Sequence, residues 1–223
     1  MEINPDNMEL FAIGALKINA TIFYTWIVMA VLVSASAVIT SKLSTGKKVP
    51  RWQSVLETFV TFISGQTKEV TGRNPWDFVP FLGTLALFIL ACNVMEVVPL
   101  YHPPTSSFST TAALAVAVFF AVPFFGITQK GLWNHLKSYF QPSPIMLPFH
   151  VISELSRTVS LAVRLFGNMM SESLMIAVFL SVVPLFIPLV MQGFGLIIGI
   201  VQAYIFFTLA SVYIGSSVSV HGE

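Results

Sequence analysis

Between Thr21 and Ile39 the chain reads TIFYTWIVMAVLVSASAVI, a run without one charged side chain. A helix needs about 20 apolar residues to cross the ~30 Å hydrocarbon layer of a bilayer. Comparable runs follow: DFVPFLGTLALFILACNVMEVVP from Asp77 to Pro99, STTAALAVAVFFAVPFFGI from Ser109 to Ile127, and two longer ones after Pro148 and from Leu189. Soluble domains carry roughly a quarter charged residues. Here the charged fraction is 9% and the hydrophobic fraction 55%, with a mean hydropathy of +0.82. Hydrocarbon offers no partner for free backbone N–H and C=O groups, so such segments must be helical. The expectation is an all-α integral membrane protein: residues 1–223 form one polytopic domain with about five transmembrane helices and one amphipathic interfacial helix, its partner the lipid bilayer. A net charge of +1 carries no electrostatic footprint for nucleic acid. Cys92 is the only cysteine, which rules out an intrachain disulfide and any thiolate metal cluster, and its apolar surroundings suggest a small buried side chain.

Charge at the ends of the runs sets the topology. Glu2, Asp6 and Glu9 precede a lone Lys17, the reverse of a basic signal-peptide n-region. Lys42, Lys47, Lys48 and Arg51 follow the first run. The positive-inside rule then puts the N-terminus outside and the next segment in the cytoplasm. From Arg51 to Val70, Trp52, Val55, Phe59, Phe62 and Ile63 recur at helical spacing while Gln53, Glu57 and Gln66 lie off that face, the pattern of a helix on the cytoplasmic surface. The second run points outward into a stretch without lysine or arginine. The third returns to Lys130 and Lys137, with Pro123 expected to kink it. PSPIMLP, Pro142 to Pro148, is a break. Pro184 and Pro188 bracket a short turn between two proline-free segments, each longer than one bilayer crossing. About 35 residues make ~50 Å of helix, so this hairpin must tilt strongly or lie partly along the membrane. The C-terminus then falls in the cytoplasm. His102, His135, His150 and His221 sit near membrane borders, and no internal repeat of the kind found in two-halved transporters is present.

One stretch resists a purely apolar reading: SRTVSLAVRLFGNMMSE, Ser156 to Glu172. At about 100° per residue, with Arg164 as zero, Ser153 falls near −20°, Arg157 near +20°, Ser160 near −40°, Asn168 near +40° and Ser171 near −20°. Glu154 and Glu172 fall near +80°. Nearly every polar side chain lies in one stripe. An arginine at the bilayer centre costs ~2.5–3.5 kcal/mol on insertion scales and more by simulation. A guanidinium does not deprotonate at physiological pH. Arg157 is close enough to the border to snorkel; Arg164 is deeper. Glu172 lies about 12 Å further along the axis, and Glu96 belongs near the outer end of the second span. Neither is placed to be a tight partner, which leaves a carboxylate from another chain, or helix carbonyls and water inside a bundle. On the last helix Gly195, Gly199 and Gln202 share a face within about 60°. The glycines suit close backbone approach, and Gln202 suits contact with the polar stripe.

RLFGNMMSE and IVQAYIFFTLASVYIGSS, together with FVPFLGTLALFI, QPSPIMLP, VSLAVRLFGN and VPLFIPL, resemble subunit a of F-type ATP synthases, close to its chloroplast and cyanobacterial branch, from about Phe78 to Gly215. The resemblance implies a non-catalytic stator subunit of the membrane F0 sector. Its last two helices form a long tilted hairpin packed against a ring of c subunits, each carrying one carboxylate. Arg164 matches the essential arginine that separates two aqueous half-channels and keeps passing rotor carboxylates ionised. Asn168 matches the family asparagine one turn on, and Gln202 the glutamine facing the arginine. The chloroplast branch has acids at the eighth and ninth residues after the arginine; this chain keeps Glu172 and has Ser173, so Glu172 is taken as the outer half-channel acid. Another branch has a histidine where Gly195 stands here, so no histidine relay is expected. Ser160 and Ser171 are candidates for the ion path, and Glu96 and Asn93 for the outer entrance. The resemblance also implies b-type peripheral stalk partners, indirect contact with F1, and a bacterial inner membrane rather than a thylakoid. No cofactor is implied, and no GxxxxGK[ST] phosphate loop occurs. The sequence leaves the ion open between proton and sodium, as it does the ring stoichiometry and the direction of operation. A stand-alone transporter or channel is the alternative, and it requires an anion for Arg164 within the chain.

Overall fold

The computed structural model describes residues 9–13, 16–41, 51–98, 101, 103–133, 146–182 and 186–218. Six α-helices occupy most of them: α1 (Ala20–Ser41), α2 (Arg51–Thr71), α3 (Val79–Met95), α4 (Phe108–Lys130), α5 (Met146–Val182) and α6 (Phe186–Val218). A short antiparallel hairpin precedes α1, strand β1 (Glu9–Ile13) pairing with β2 (Leu16–Asn19), with Glu9 opposite Asn19 and a bulge between Glu9 and Phe11. Single 3₁₀ turns at Pro75–Asp77 and Pro104–Ser106 introduce α3 and α4. This is the expected all-α membrane architecture. Among the described residues four helices, α1, α4, α5 and α6, are long and apolar enough to cross a membrane, against about five expected; α3, at 17 residues, is a shorter apolar helix.

The ends of the elements follow local chemistry. Asn74 accepts from the Trp76 N–H to start the turn before α3, and Ser107 accepts from the Ser109 N–H at the start of α4. α2 ends at Gly72 and α4 at Gly131, both at positive φ (63° and 82°), where a side chain would be strained. Pro148 and Pro188 lie inside the first turns of α5 and α6, where a missing N–H costs nothing, so each helix starts earlier than the prolines suggest. Pro123 sits within continuous α4, and the Ser217 hydroxyl on α6 donates to the Val122 carbonyl beside it at 2.9 Å. The break at 142–145, the turn at Pro184, the basic residues Lys42, Lys47, Lys48 and Lys137, and His102, His135 and His221 lie outside the described residues.

The core is built by α3, α4, α5 and α6. Phe78, Leu82 and Ile89 meet Val118, Leu165, Phe206 and Ile214, all of them buried. Close packing of these side chains fixes the register of four helices at once. α1 has only three buried residues, Ala20, Thr21 and Val28, and presents Trp26, Val33 and Val38 outward. Exposed side chains of that kind on a spanning helix suit lipid. At one end Arg73 donates to Gln129 Oε1 (3.2 Å) and Gln129 Nε2 to Asp77 Oδ2 (2.9 Å), tying the α2–α3 connection to α4. The Lys130 ammonium donates to the carbonyl of Ser217 and holds the same end of α6.

The amphipathic helix differs from its expected orientation in detail. Val55 and Phe62 are exposed, but Ile63 and Thr67 pack inward, and Gln53, assigned to the polar side, is 5% exposed and donates to Glu57 at 2.9 Å. α2 packs on α3 and α6, with Val70 against Gly215, so its inner face is set by protein contact rather than by hydrophobicity alone.

Candidate functional site

α5 has 37 residues, ~55 Å of helix, and α6 has 33, ~50 Å. Both exceed a ~30 Å hydrocarbon core, and they pack on each other and on α4. Their polar side chains divide into two groups. Ser153, Arg157, Ser160, Arg164, Asn168 and Ser171, the stripe from −40° to +40°, are all exposed. Glu172, about 80° around the helix, is 7% exposed and turned into the bundle. The stripe is an outer face of the molecule, between apolar neighbours such as Leu155, Val159 and Val163 that are also exposed. Among the described residues no carboxylate pairs with Arg164. Arg157 lies over the Tyr213 ring of α6, its guanidinium carbon 5.4 Å from the centroid.

The two groups meet at Asn168. Its Nδ2 donates to Oε1 of Gln202 at 2.8 Å. Gln202 is 2% exposed, so this bond ties the outer stripe to a buried amide on α6. That is the contact expected of Gln202, made through Asn168, one turn beyond Arg164.

Further along α6 the glycines do something other than admit a backbone. A Cβ placed on Gly195 would lie 1.2 Å from Oε1 of Glu172; the missing side chain is the space that the carboxylate fills. A Cβ on Gly199 would lie 2.8 Å from the Asn93 Cβ, and Asn93 Nδ2 donates to the Gly199 carbonyl at 2.8 Å. The close approach is therefore by polar side chains from α5 and α3, which corrects the expectation of helix backbones in contact. Asn93 is 2% exposed, and the Thr105 hydroxyl reaches its Oδ1 at 3.5 Å. Gln192 Nε2 donates to the Glu96 carbonyl at 3.0 Å. Glu96, just past the end of α3, is near enough to Glu172 for their charges to interact. In this way buried Asn93, Glu172 and Gln202, flanked by half-buried Glu96, form a polar region that meets the exposed stripe carrying Arg164, Ser160 and Ser171 at Asn168.

Oε2 of Glu172 and Nε2 of Gln202 have no hydrogen-bond partner within the described residues. Buried polar atoms are nearly always satisfied, so an unmatched acceptor and donor in one region mark a place that suits water. The described residues include no group of three or more His, Cys, Asp or Glu able to hold a metal. His150, exposed on the first turns of α5, lies away from Asn168 by five helical turns. Sequence reasoning passed over Thr105, Gln192 and Tyr213. The first two carried a signal, since a polar side chain in or beside an apolar span is costly unless it serves a purpose.

The family model described as ATP synthase A chain matches residues 22–215. The chain is 52% identical over 220 residues to ATP synthase subunit a 2 of a Picosynechococcus strain, covering 99% of this chain and 94% of that one. It is 54% identical over 217 residues to ATP synthase subunit a of Albidiferax ferrireducens, covering 97% and 94%. It is 51% identical to ATP synthase subunit a 1 of Chlorobaculum parvum, covering 97% and 96%.

Proposed function

The chain belongs to the ATP synthase A chain family, and we propose that it is the ion-translocating stator subunit of a rotary ATP synthase, with Arg164 as its fixed charge. The observation that carries this reading is the placement of Arg164: exposed, mid-helix, on an outer face, and without a carboxylate among the described residues. A permanent cation in that position calls for an anion that comes from another molecule and that is able to leave. A ring of c subunits, each with one carboxylate in the membrane, supplies such an anion repeatedly as it turns. A rotor carboxylate facing Arg164 is held ionised by the guanidinium, which displaces its proton or sodium ion. On either side it reloads from water. Ion flow then has to carry the rotor around, and each elementary charge moved through 100 mV contributes about 2.3 kcal/mol.

The buried polar region is the outer half-channel in this reading. Glu96 is its entrance, and Glu172, seated in the slot left by Gly195, is its proton-exchanging acid. The unmatched Glu172 Oε2 and Gln202 Nε2 are the atoms a wet path would use. Asn168 and Gln202 fix the inner end of that path beside Arg164. Ser160 and Ser171 line the stripe on either side of the arginine, and the inner half-channel opens at the Arg157 end. Catalysis of ATP chemistry belongs to other subunits: F1, coupled through the rotor and through b-type stalk subunits that keep this chain from turning. The proposed setting is a bacterial inner membrane with the N-terminus outside and the C-terminus in the cytoplasm. A stand-alone transporter would have to neutralise Arg164 itself, and no described side chain does so.

The test is ATP-driven ion pumping by the assembled complex in inverted vesicles, wild type against Arg164→Ala, with and without sodium. The expected result is an assembled variant that does not pump; a sodium requirement in the wild type would identify sodium as the ion. Normal pumping by assembled Arg164→Ala would overturn the reading.

A further inference from the structure

Arg157 and Arg164 share the exposed stripe of α5, about 20° apart around the axis and about 10 Å apart along it. They differ in how they are held. Among the described residues no ring lies beneath Arg164, whereas Arg157 is stacked over Tyr213, 5.4 Å from the ring centroid, on the neighbouring helix. A free arginine at a membrane border extends toward water and its charge moves with it. One laid on an aromatic face has its charge fixed in position, because the ring quadrupole attracts the cation. Tyr213 is half-buried in α6 beside the buried Ile214, so the platform itself is anchored.

We propose that Arg157, fixed by Tyr213, is a second stator charge that sets the proton affinity of rotor carboxylates in the inner half-channel. The inference rests on the stator reading of Arg164 given above. A carboxylate that has left Arg164 on this side passes Arg157 next, on the same face. The guanidinium there favours its ionised form, through space and without contact. This makes Arg157 a positioning and tuning residue, while separation of the half-channels remains with Arg164. Other titratable groups on the elements packed against this part of α5 are few. They are His150 and Glu154 on α5 itself, Tyr204 and Tyr213 on α6, and Lys130 on α4, whose ammonium is engaged at the Ser217 carbonyl. His150 shares the stripe two turns further out, so Arg157 is the permanently charged group nearest Arg164 on this side.

The experiment measures ATP-driven pumping in inverted vesicles as a function of pH on the cytoplasmic face. The complexes compared are wild type, Arg157→Gln, Arg157→Lys, Tyr213→Phe and Tyr213→Leu, with Arg164→Ala alongside. In this direction carboxylates load from the cytoplasm. Removing a nearby positive charge raises their proton affinity, so loading persists to higher pH. Arg157→Gln is expected to move the alkaline midpoint up by about one pH unit, the size of effect one charge exerts at this range in a partly wet site. Arg157→Lys and Tyr213→Phe should keep the wild-type midpoint. Tyr213→Leu should move it in the same direction as Arg157→Gln, by less, because the charge remains and its platform is gone. If Arg157→Gln pumps with an unshifted midpoint, the proposal is wrong. If that variant does not assemble, the Tyr213 pair decides: equal midpoints for Phe and Leu overturn it. Failure of the underlying stator reading shows separately, as normal pumping by Arg164→Ala.

Discussion

Replacing Gly195 by alanine separates the seat of Glu172 from the stability of the helices around it. The new methyl carbon would start 1.2 Å from Oε1, 2.2 Å from Cδ and 2.8 Å from Oε2 of Glu172. Ordinary contact begins near 3.4 Å, so the carboxylate must withdraw by about 2 Å. It is the far end of a flexible side chain, and an altered rotamer costs about 0.5–1.5 kcal/mol. Gly to Ala within a helix returns about 0.5–1 kcal/mol. The two nearly cancel, so the complex should assemble at normal levels. Ion transfer should suffer far more, because displacing a reacting group by an ångström lowers a rate by as much as ~100-fold. The expected outcome is pumping reduced ten- to a hundred-fold per assembled complex, measured as initial rates in inverted vesicles against complex quantified on native gels. Gly167→Ala, whose methyl meets nothing within 4 Å, is the control and should pump normally. Adding Glu172→Asp to Gly195→Ala shortens the acid by one bond of about 1.5 Å and should recover part of the loss. A fully assembled Gly195→Ala complex that pumps at the wild-type rate would refute the assignment of Glu172 to this slot.

Gly199→Ala should behave in the opposite way. Its methyl meets the Asn93 Cβ at 2.8 Å, an atom fixed to its backbone, and the buried Asn93–Gly199 hydrogen bond is strained with it. Overpacking of about 1–3 kcal/mol plus a lost bond of about 1 kcal/mol should lower the thermal midpoint of the detergent-solubilised complex and its yield; an unchanged midpoint would show that α3 and α6 are not tightly apposed there. Asn168→Leu removes the donor to Gln202 and leaves a 2%-exposed amide without that bond, a cost of about 1–3 kcal/mol. Thermal stability should fall, and Asn168→Leu with Gln202→Leu should regain part of it, since replacing both partners removes the unmet polar group; a double variant no more stable than the single one would argue against the pair.

Much of the site was legible because the helical period is rigid. Advancing 100° per residue from Arg164 was enough to collect Ser153, Arg157, Ser160, Asn168 and Ser171 on one face and to set Glu172 off it. The structure leaves the first set exposed and buries the second. The same arithmetic put Gly195, Gly199 and Gln202 on one face of α6. It did not reveal what faces them. Asn93 and Gly199 are 106 residues apart, and their bond depends on how far α3 slides along α6, which side-chain volumes across the whole core decide. Two glycines four apart fit a neighbouring backbone and a neighbouring carboxylate equally well from sequence. Gln53 was misjudged for a related reason: α2 was read against a bilayer surface alone, and it also packs on α3 and α6. The small β1–β2 hairpin, four and five residues a strand, is too short to leave a periodic signal.

The division of polar residues between inside and outside places Asn168 at a seam. Its side chain is on the exposed face, yet its amide is bonded to an amide that is 2% exposed. Inward of it lie Gln202, Glu172 and Asn93, and outward lies the Arg164 stripe. A helix that carried polar groups only inward would enclose a path with no exit to a partner. One with polar groups only outward would give a partner surface with no route for ions to reach it. α5 carries both, about 80° apart and within two turns of each other. In the proposed stator reading, an ion passing between the buried region and the face of a moving neighbour crosses where these arcs meet, one turn from a cation that never discharges. A fixed positive charge beside that seam would repel a free proton or sodium ion and attract a partner's carboxylate. On that reading the arrangement favours ions that travel bound to a partner's acid over ions that leak.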